Sequence, residues 1–405
     1  MAQRVSKPLE ILFVTPYLPS PPGFGGQRRL HGLFTGMAEK HRVSVLSLVN
    51  PVENHDKSIA ATKEYAREVV TVPNPAFALS LHGKRTLQLQ SLMSLRSFEW
   101  LSHMQNGLHK RLVEMMQATR YDVVNFEFSQ MAPHRRGVPA GPLFVLDEHN
   151  IEFEILRRTA ISETGFSRRL YNGVNCRKLR AEELSAWRAF DGVSVTSAHD
   201  RDLLLRNDPR AHTAIVPNAV DLDFFAPQPA VASQPGTLLF FGAINYFPNS
   251  DGLKYFLASI FPHLPQAKLR VVGHTPEALF ALASDRVEMK GWVDDVRLEI
   301  AKAAVVIAPL RVGGGTRLKI LEAMSMGKPI VSTPEGAEGL EVVDGRDLLL
   351  ASDPQQFAAK VTQILGDPQL ALALGQNARK LVEERYGWAA SVARLENFYQ
   401  ELGVK

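Results

Sequence analysis

The chain has 405 residues, 45% of them hydrophobic, which is enough apolar material for two sizeable cores. Its net charge of +4 is uneven, +7 over residues 1–220 and −3 thereafter, so the first half suits an anionic partner or a membrane surface. A single cysteine, Cys176, excludes an internal disulfide framework and fits a reducing compartment, and no apolar run reaches the ~18 residues of a membrane span.

The first predicted strand, Leu9–Thr15, is too short and too soon followed by prolines to be a secretory core, so a cytoplasmic location is expected. Gly25 and Gly26, in "TPYLPSPPGFGGQRRLHGL", stand just before a helical pattern, where backbone can approach a phosphate or an acceptor. Strands at Val43–Leu48 and Val69–Val72 follow. The stretch "HGKRTLQLQSLMSLRSFEWLSHMQNGLHKRLVEMM" then mixes leucine, methionine, Phe98 and Trp100 with Lys84, Arg85, Arg96, Lys110 and Arg111. It reads as a packed helical pair, with a face resting on a membrane or a lipid diphosphate as the alternative. Strands at Asp122–Phe126 and Leu143–Leu146 come next, the second running into Asp147, Glu148, His149 and Asn150. Polar groups at the carboxyl end of a buried strand point to a cleft rather than a core. Gly192–Thr196 is the last strand of this half, and His199 starts a helix.

Proline-rich "IVPNAVDLDFFAPQPAVASQPG" marks the interdomain boundary. The expected domains are 1–215 and 216–385, with a terminal helix at 386–405 crossing back to the first. Strands at Thr237–Phe241, Lys268–Val272, Arg286–Lys290, Ala304–Ala308, Pro329–Ser332 and Asp347–Leu350 follow, then helices at Pro354–Leu365, Pro368–Arg385 and Trp388–Leu402. Short β-branched runs alternating with helices predict an α/β protein of two doubly wound, Rossmann-like domains facing across a cleft.

The segment "RVGGGTRLKILEAM" carries the most chemistry. A buried strand enters three glycines, and Thr316 is the expected N-cap of a helix that stops at Gly327 and Pro329. A capping box would place an acid three residues after Thr316, yet Lys319 stands there with Arg317 beside it, in a first turn where the helix dipole disfavours cations. A bound phosphate removes the conflict: backbone N–H groups from Gly313 through Gly314 and Gly315 to Thr316, together with Arg317 and Lys319, would hold it. Glu322, an acceptor-only group two turns in, suits ribose hydroxyls. The G-x-x-x-x-G-K-[ST] phosphate loop is absent.

"GGGTRLKILEAMSMGKPIVST" resembles the signature of the retaining GT-B glycosyltransferases of family four (glycosyl transferases group 1). "IVPNAVD", "FFGAINYFPNSDGLKYF", "LRVVG" and "VEMKGWVDDV" resemble further pieces of that family's donor domain. The resemblance implies a GT-B fold and transfer of a sugar, with retention, from a nucleoside-diphosphate sugar, a UDP- or GDP-sugar, to a glycan or lipid-linked acceptor in surface or exopolysaccharide assembly. It implies ribose contact by Glu322, diphosphate contact by the preceding turn, donor contacts at Gly242, Trp292 and Val293, and His149 near the reacting sugar. Two positions depart from the pattern. Gly314 stands where relatives often carry a glutamate that contacts the transferred sugar, and Gly242 is followed by Ala243 rather than arginine.

Stabilising charge on the departing diphosphate is the main chemical demand, and backbone N–H groups with Arg317 and Lys319 meet it. No D-x-D pair stands beside a donor-side strand, so no metal, no separate cofactor and no nucleic-acid partner are expected. Peripheral contact with the inner face of a membrane is expected through the first domain. The alternatives are a GT-B nucleotide-sugar epimerase, which needs acid/base carboxylates, and a sugar-nucleotide-binding protein without turnover.

Overall fold

A computed structural model describes residues 7–162, 165–312 and 317–404. The chain forms two compact units, one containing the residues up to Pro217 and those from Ser391 on, the other Asn218–Ala390.

The first unit is a seven-stranded parallel sheet. Its strands are β1 (Glu10–Thr15), β2 (Arg42–Val49), β3 (Glu68–Pro73), β4 (Val123–Glu127), β5 (Leu143–Glu148), β6 (Gly192–Val195) and β7 (Thr213–Ile215), in the order β3-β2-β1-β4-β5-β6-β7. β1, β2, β4, β5 and β6 are almost wholly buried, as parallel strands covered on both faces must be. β7 went unpredicted because three residues ahead of Pro217 are too few to show a period.

The second unit is a six-stranded parallel sheet of β8 (Thr237–Phe241), β9 (Lys268–Val272), β10 (Val287–Gly291), β11 (Val305–Ala308), β12 (Ile330–Ser332) and β13 (Leu349–Leu350), in the order β10-β9-β8-β11-β12-β13. Both sheets therefore reverse direction of growth beside their first strand, between β1 and β4 and between β8 and β11. In doubly wound sheets the crevice for a ligand opens at the carboxyl ends of those two strands.

Two expectations need correction. The helical pair is three helices, Leu81–Met93, Phe98–His103 and Asn106–Ala118; Ser97 ends the first connection by accepting from the Trp100 N–H and so starts a new helix. The phosphate-turn helix spans Leu318–Ser325, and the residue that precedes it is Arg317, in extended backbone, not Thr316. The last helix, Trp388–Glu401, passes into the first unit: buried Tyr399 donates to Asn125 Oδ1 at 2.9 Å, and Glu396 pairs with Lys40 and His41.

Candidate functional site

In the second unit the carboxyl ends of three neighbouring strands are bare backbone. Gly242, Gly273 and Gly291 follow or end β8, β9 and β10, all with positive φ. A Cβ on Gly273 would lie 1.8 Å from the Gly242 carbonyl oxygen, so only glycine fits there. Above Gly242 sits the amine of Lys319, brought over the switch point by the helix Leu318–Ser325. Its Nζ donates to Asn249 Oδ1 at 2.5 Å, lies 4.7 Å from the Phe240 ring centre, and would be 3.2 Å from a Cβ at Gly242.

Burial, reinforced by the Arg317 charge and opposed by Glu322, lowers the Lys319 pKa to about 7. Arg317 is buried, with Nη2 3.4 Å from the Glu335 carbonyl, and Glu322 is buried as well. Two cations and one carboxylate thus gather around the switch point. Without an anion the enclosed ammonium is partly discharged. Trp292 is 61% exposed and stacks on His274 with ring centres 4.6 Å apart, while Val293 packs on the core. The structure brings Gly242, Arg317, Lys319 and Glu322 together. Gly314, Gly315 and Thr316 lie outside the described residues.

The corresponding region of the first unit is a buried polar cluster. Gly25 and Gly26 open the helix Gly25–Ala38, and the Tyr17 hydroxyl occupies the place a Gly26 side chain would take. The same helix carries Arg29, 1% exposed, whose Nε and Nη2 donate to the two oxygens of Asp147 at 3.0 Å each. Asp147 also accepts from Ser194 at 2.6 Å. His149 is buried. Its Nε2 lies 2.8 Å from Glu127 Oε2, and its ring stacks on Phe128 at 3.7 Å.

Burial pushes the His149 pKa down to about 3, so the imidazole is neutral at physiological pH. Burial and the Asp147 charge hold the Glu127 carboxyl well above its usual range, while the Arg29 guanidinium keeps Asp147 below its own. Phe128 is the one non-glycine residue with positive φ (70°) among the described residues, a conformation that costs on the order of 1–3 kcal/mol and is held by its contacts with His149 and Tyr17. Glu127, Asp147 and His149 bring three ligand-type atoms within 4.8 Å of one another, a geometry open to a small cation, although Arg29 already places a positive charge on Asp147.

Sequence reasoning missed Glu127, Phe128 and Arg29. The signal for Glu127 was the polar Asn125–Glu127 alternation in an otherwise apolar strand; Arg29 gives none, because surface arginines are common in first helices. Nearby, Glu183 accepts from the Glu152 and Phe153 N–H groups at 2.9 and 2.8 Å and so caps the helix Glu152–Ser162. Burial raises Glu148 to about 8 and Glu152 to about 7.

Two Rossmann-like units in one chain, each with its polar groups at the switch point, define the GT-B fold. Residues 235–367 match the family described as glycosyl transferases group 1. The chain is 26% identical over 238 residues to D-inositol 3-phosphate glycosyltransferase of Thermobispora bispora, covering 52% of this chain and 55% of that one. It is likewise 26% identical over 237 residues to the lipopolysaccharide core biosynthesis mannosyltransferase LpcC of Rhizobium leguminosarum bv. viciae, covering 53% and 66%. The chain thus spans about half to two thirds of the length of these relatives. Sucrose-phosphate synthase from Thermosynechococcus elongatus has the same fold, with a TM-score of 0.71 at 18% identity over 97% of this chain and 99% of that one. Anabaena Alr3699/HepE in complex with UDP gives 0.67 at 15% identity, over 97% and 100%.

Proposed function

We propose that the protein is a glycosyltransferase that moves a sugar from a nucleoside-diphosphate sugar, a UDP- or GDP-sugar, to a glycan or lipid-linked acceptor. The observation that carries this is the grouping of Lys319, Arg317 and Glu322 over the bare backbone at Gly242 and Gly273. Cations and unobstructed backbone suit a diphosphate, a buried carboxylate suits ribose hydroxyls, and exposed Trp292 offers a flat apolar face for a base. The name of the Rhizobium leguminosarum relative, a mannosyltransferase of lipopolysaccharide core biosynthesis, supports transfer of a hexose in surface-glycan assembly.

In this reading Arg317 and Lys319 take up charge on the departing diphosphate, and the anomeric configuration is retained, as in the family-four enzymes the sequence resembles. With Arg29 neutralising Asp147, no divalent ion or other cofactor is needed, so chelation leaves transfer unchanged. His149, held against Glu127, is the first-unit residue assigned to the reacting sugar by the resemblance to family-four enzymes, and the activity belongs on the cytoplasmic side.

The test combines a panel of UDP-, GDP-, ADP- and dTDP-sugars with calorimetric titration of the matching nucleoside diphosphate. Lys319→Ala and Glu322→Ala are each expected to weaken binding by about 1.5–3 kcal/mol, the worth of a charge-assisted hydrogen bond. Unchanged affinity in both folded variants would remove the donor site from these residues. Epimer formation or binding without turnover would instead identify an epimerase or a binding protein.

A further inference from the structure

The lysine over Gly242 does not stand there unaided. Ala243, which follows Gly242, brings no charge to the end of β8, so the charge at that point comes from Lys319, on a different element. Pro248 stands in the first turn of the helix Phe247–Tyr255, directly behind this loop, and Asn249 follows it. Asn249 is buried, and both ends of its amide are engaged. Its Nδ2 donates to the Ala243 carbonyl at 2.7 Å, and its Oδ1 accepts from Lys319 Nζ at 2.5 Å. An amide whose nitrogen is held by a carbonyl presents its oxygen at the other end, and an oxygen suits an ammonium, which has donors alone. A side chain at Gly242 would meet the same two groups, Lys319 Nζ at 3.2 Å and Asn249 Nδ2 at 3.4 Å. Asn249 therefore ties the lysine amine to the backbone of the residue that lacks a cation.

The helix that carries Asn249 is itself fixed against the entry to the glycine turn. A Cβ on Gly252 would lie 2.9 Å from the Pro309 carbonyl oxygen, so helix and chain meet at close quarters. Asp251 accepts from Arg311 Nε at 3.0 Å and from Nη2 at 2.5 Å, and the Arg311 guanidinium lies 4.8 Å from the centre of the Tyr255 ring. That fork commits Arg311 to Asp251 and leaves Lys319 and Arg317 as the cations for a ligand. One short helix thus holds the chain ahead of the turn through Asp251 and the chain beyond it through Asn249. A lysine stem is flexible, and fixing it before the ligand arrives removes that ordering cost from binding. The charges acting on the amine are Arg317 and Glu322, while Asp251, on the helix packed against it, is turned to Arg311.

We propose that Asn249 is a positioning residue of the anion site, aiming the Lys319 ammonium at the donor diphosphate. The proposal rests on the donor-site reading above, and one set of titrations separates the two. Calorimetry of the full chain with UDP and GDP, from about pH 6 to about pH 9, compares wild type with Lys319→Ala, Asn249→Ala, Asn249→Asp and Asp251→Asn. The complex holds Lys319 charged, so affinity declines once pH passes the pKa of the free amine. Asn249→Ala removes an acceptor from the charged amine. Affinity near neutral pH is expected to fall about tenfold, and its decline to begin at lower pH. Asn249→Asp sets a carboxylate there, which favours the ammonium, so the decline should begin about one pH unit higher. A loss of structure lowers affinity at every pH and does not move the onset in opposite directions. Asn249→Ala should add nothing in a Lys319→Ala background, because it acts through that amine. Asp251→Asn disturbs the same helix away from the amine and should leave the onset where it is. Coincident onsets in wild type and both Asn249 variants, additive losses in the double variant, or an onset moved equally by Asp251→Asn overturn the proposal while the donor site stands. Unchanged affinity in Lys319→Ala overturns the donor-site reading, and this proposal with it.

Discussion

Lys319 shows how one residue reports on the site. Its amine is enclosed by Asn249, Phe240 and the Gly242 backbone, and its pKa falls to about 7. A bound diphosphate favours the charged ammonium and so raises that pKa in the complex. Between the free and bound values the complex holds more protons than the free protein, and affinity must fall as pH rises. We predict that nucleoside diphosphate affinity weakens by up to about tenfold per pH unit above pH 7. Lys319→Ala should flatten the profile; titration calorimetry in buffers of different ionisation enthalpy reads both the slope and the proton uptake. A wild-type profile flat to pH 9 would show that the amine does not meet the anion. His149 and Glu127 sit differently: burial pulls the histidine pKa down to about 3 and, with the Asp147 charge, pushes the Glu127 carboxyl well above its usual range, so both shifts oppose an ion pair across their 2.8 Å contact.

Elements bring these residues together, and the helix Gly25–Ala38 is the clearest case. Its inner face carries Leu30, Leu33, Phe34 and Met37 into the first core, and the same packing buries Arg29 against Asp147 at the end of β5. Removing one partner of a buried pair leaves an uncompensated charge and costs about 3–5 kcal/mol. Arg29→Met should therefore destabilise the first unit by that amount. Arg29→Met combined with Asp147→Asn should recover most of it, as measured by urea unfolding followed through Trp187 fluorescence. If both variants unfold alike, the ion pair is not what Arg29 contributes. In the second unit the helix Leu318–Ser325 does the equivalent work: Ile320, Leu321, Ala323 and Met324 fix it in the core, and Lys319 is carried over Gly242 in consequence.

At the scale of the whole molecule the two units have separate cores and separate sheets of like order. If the donor site lies in the second unit, a nucleoside diphosphate should protect that unit's strand ends most strongly. Hydrogen exchange with and without UDP or GDP is expected to slow around residues 242–249, 273–293 and 317–336. Protection greatest in the first unit would place the nucleotide there instead.

Much of this was legible in the sequence. Buried parallel strands are continuous apolar runs, so β8 and β9 were predicted to the residue, and the glycine-rich turn declared itself by setting Arg317 and Lys319 where a helix start prefers acids. Local rules govern such features, and they act within a few residues of chain. Three features obey no local rule. The start of the phosphate-turn helix moved to Leu318 because Arg317 takes an extended conformation. The pairing of Arg29 with Asp147, and of His149 with Glu127, joins residues that only sheet order makes neighbours. The apolar stripe of the helix Leu81–Met93, exposed at Leu81, Leu89, Leu92 and Met93, has the same residues whether it faces core or solvent, and only packing against Tyr171 and Lys178 decided which. Pattern and propensity determined the fold class and the anion-seeking turn, because both arise from forces between near neighbours. Tertiary structure decided which charges are buried together and which apolar face stays open, because burial depends on the whole chain.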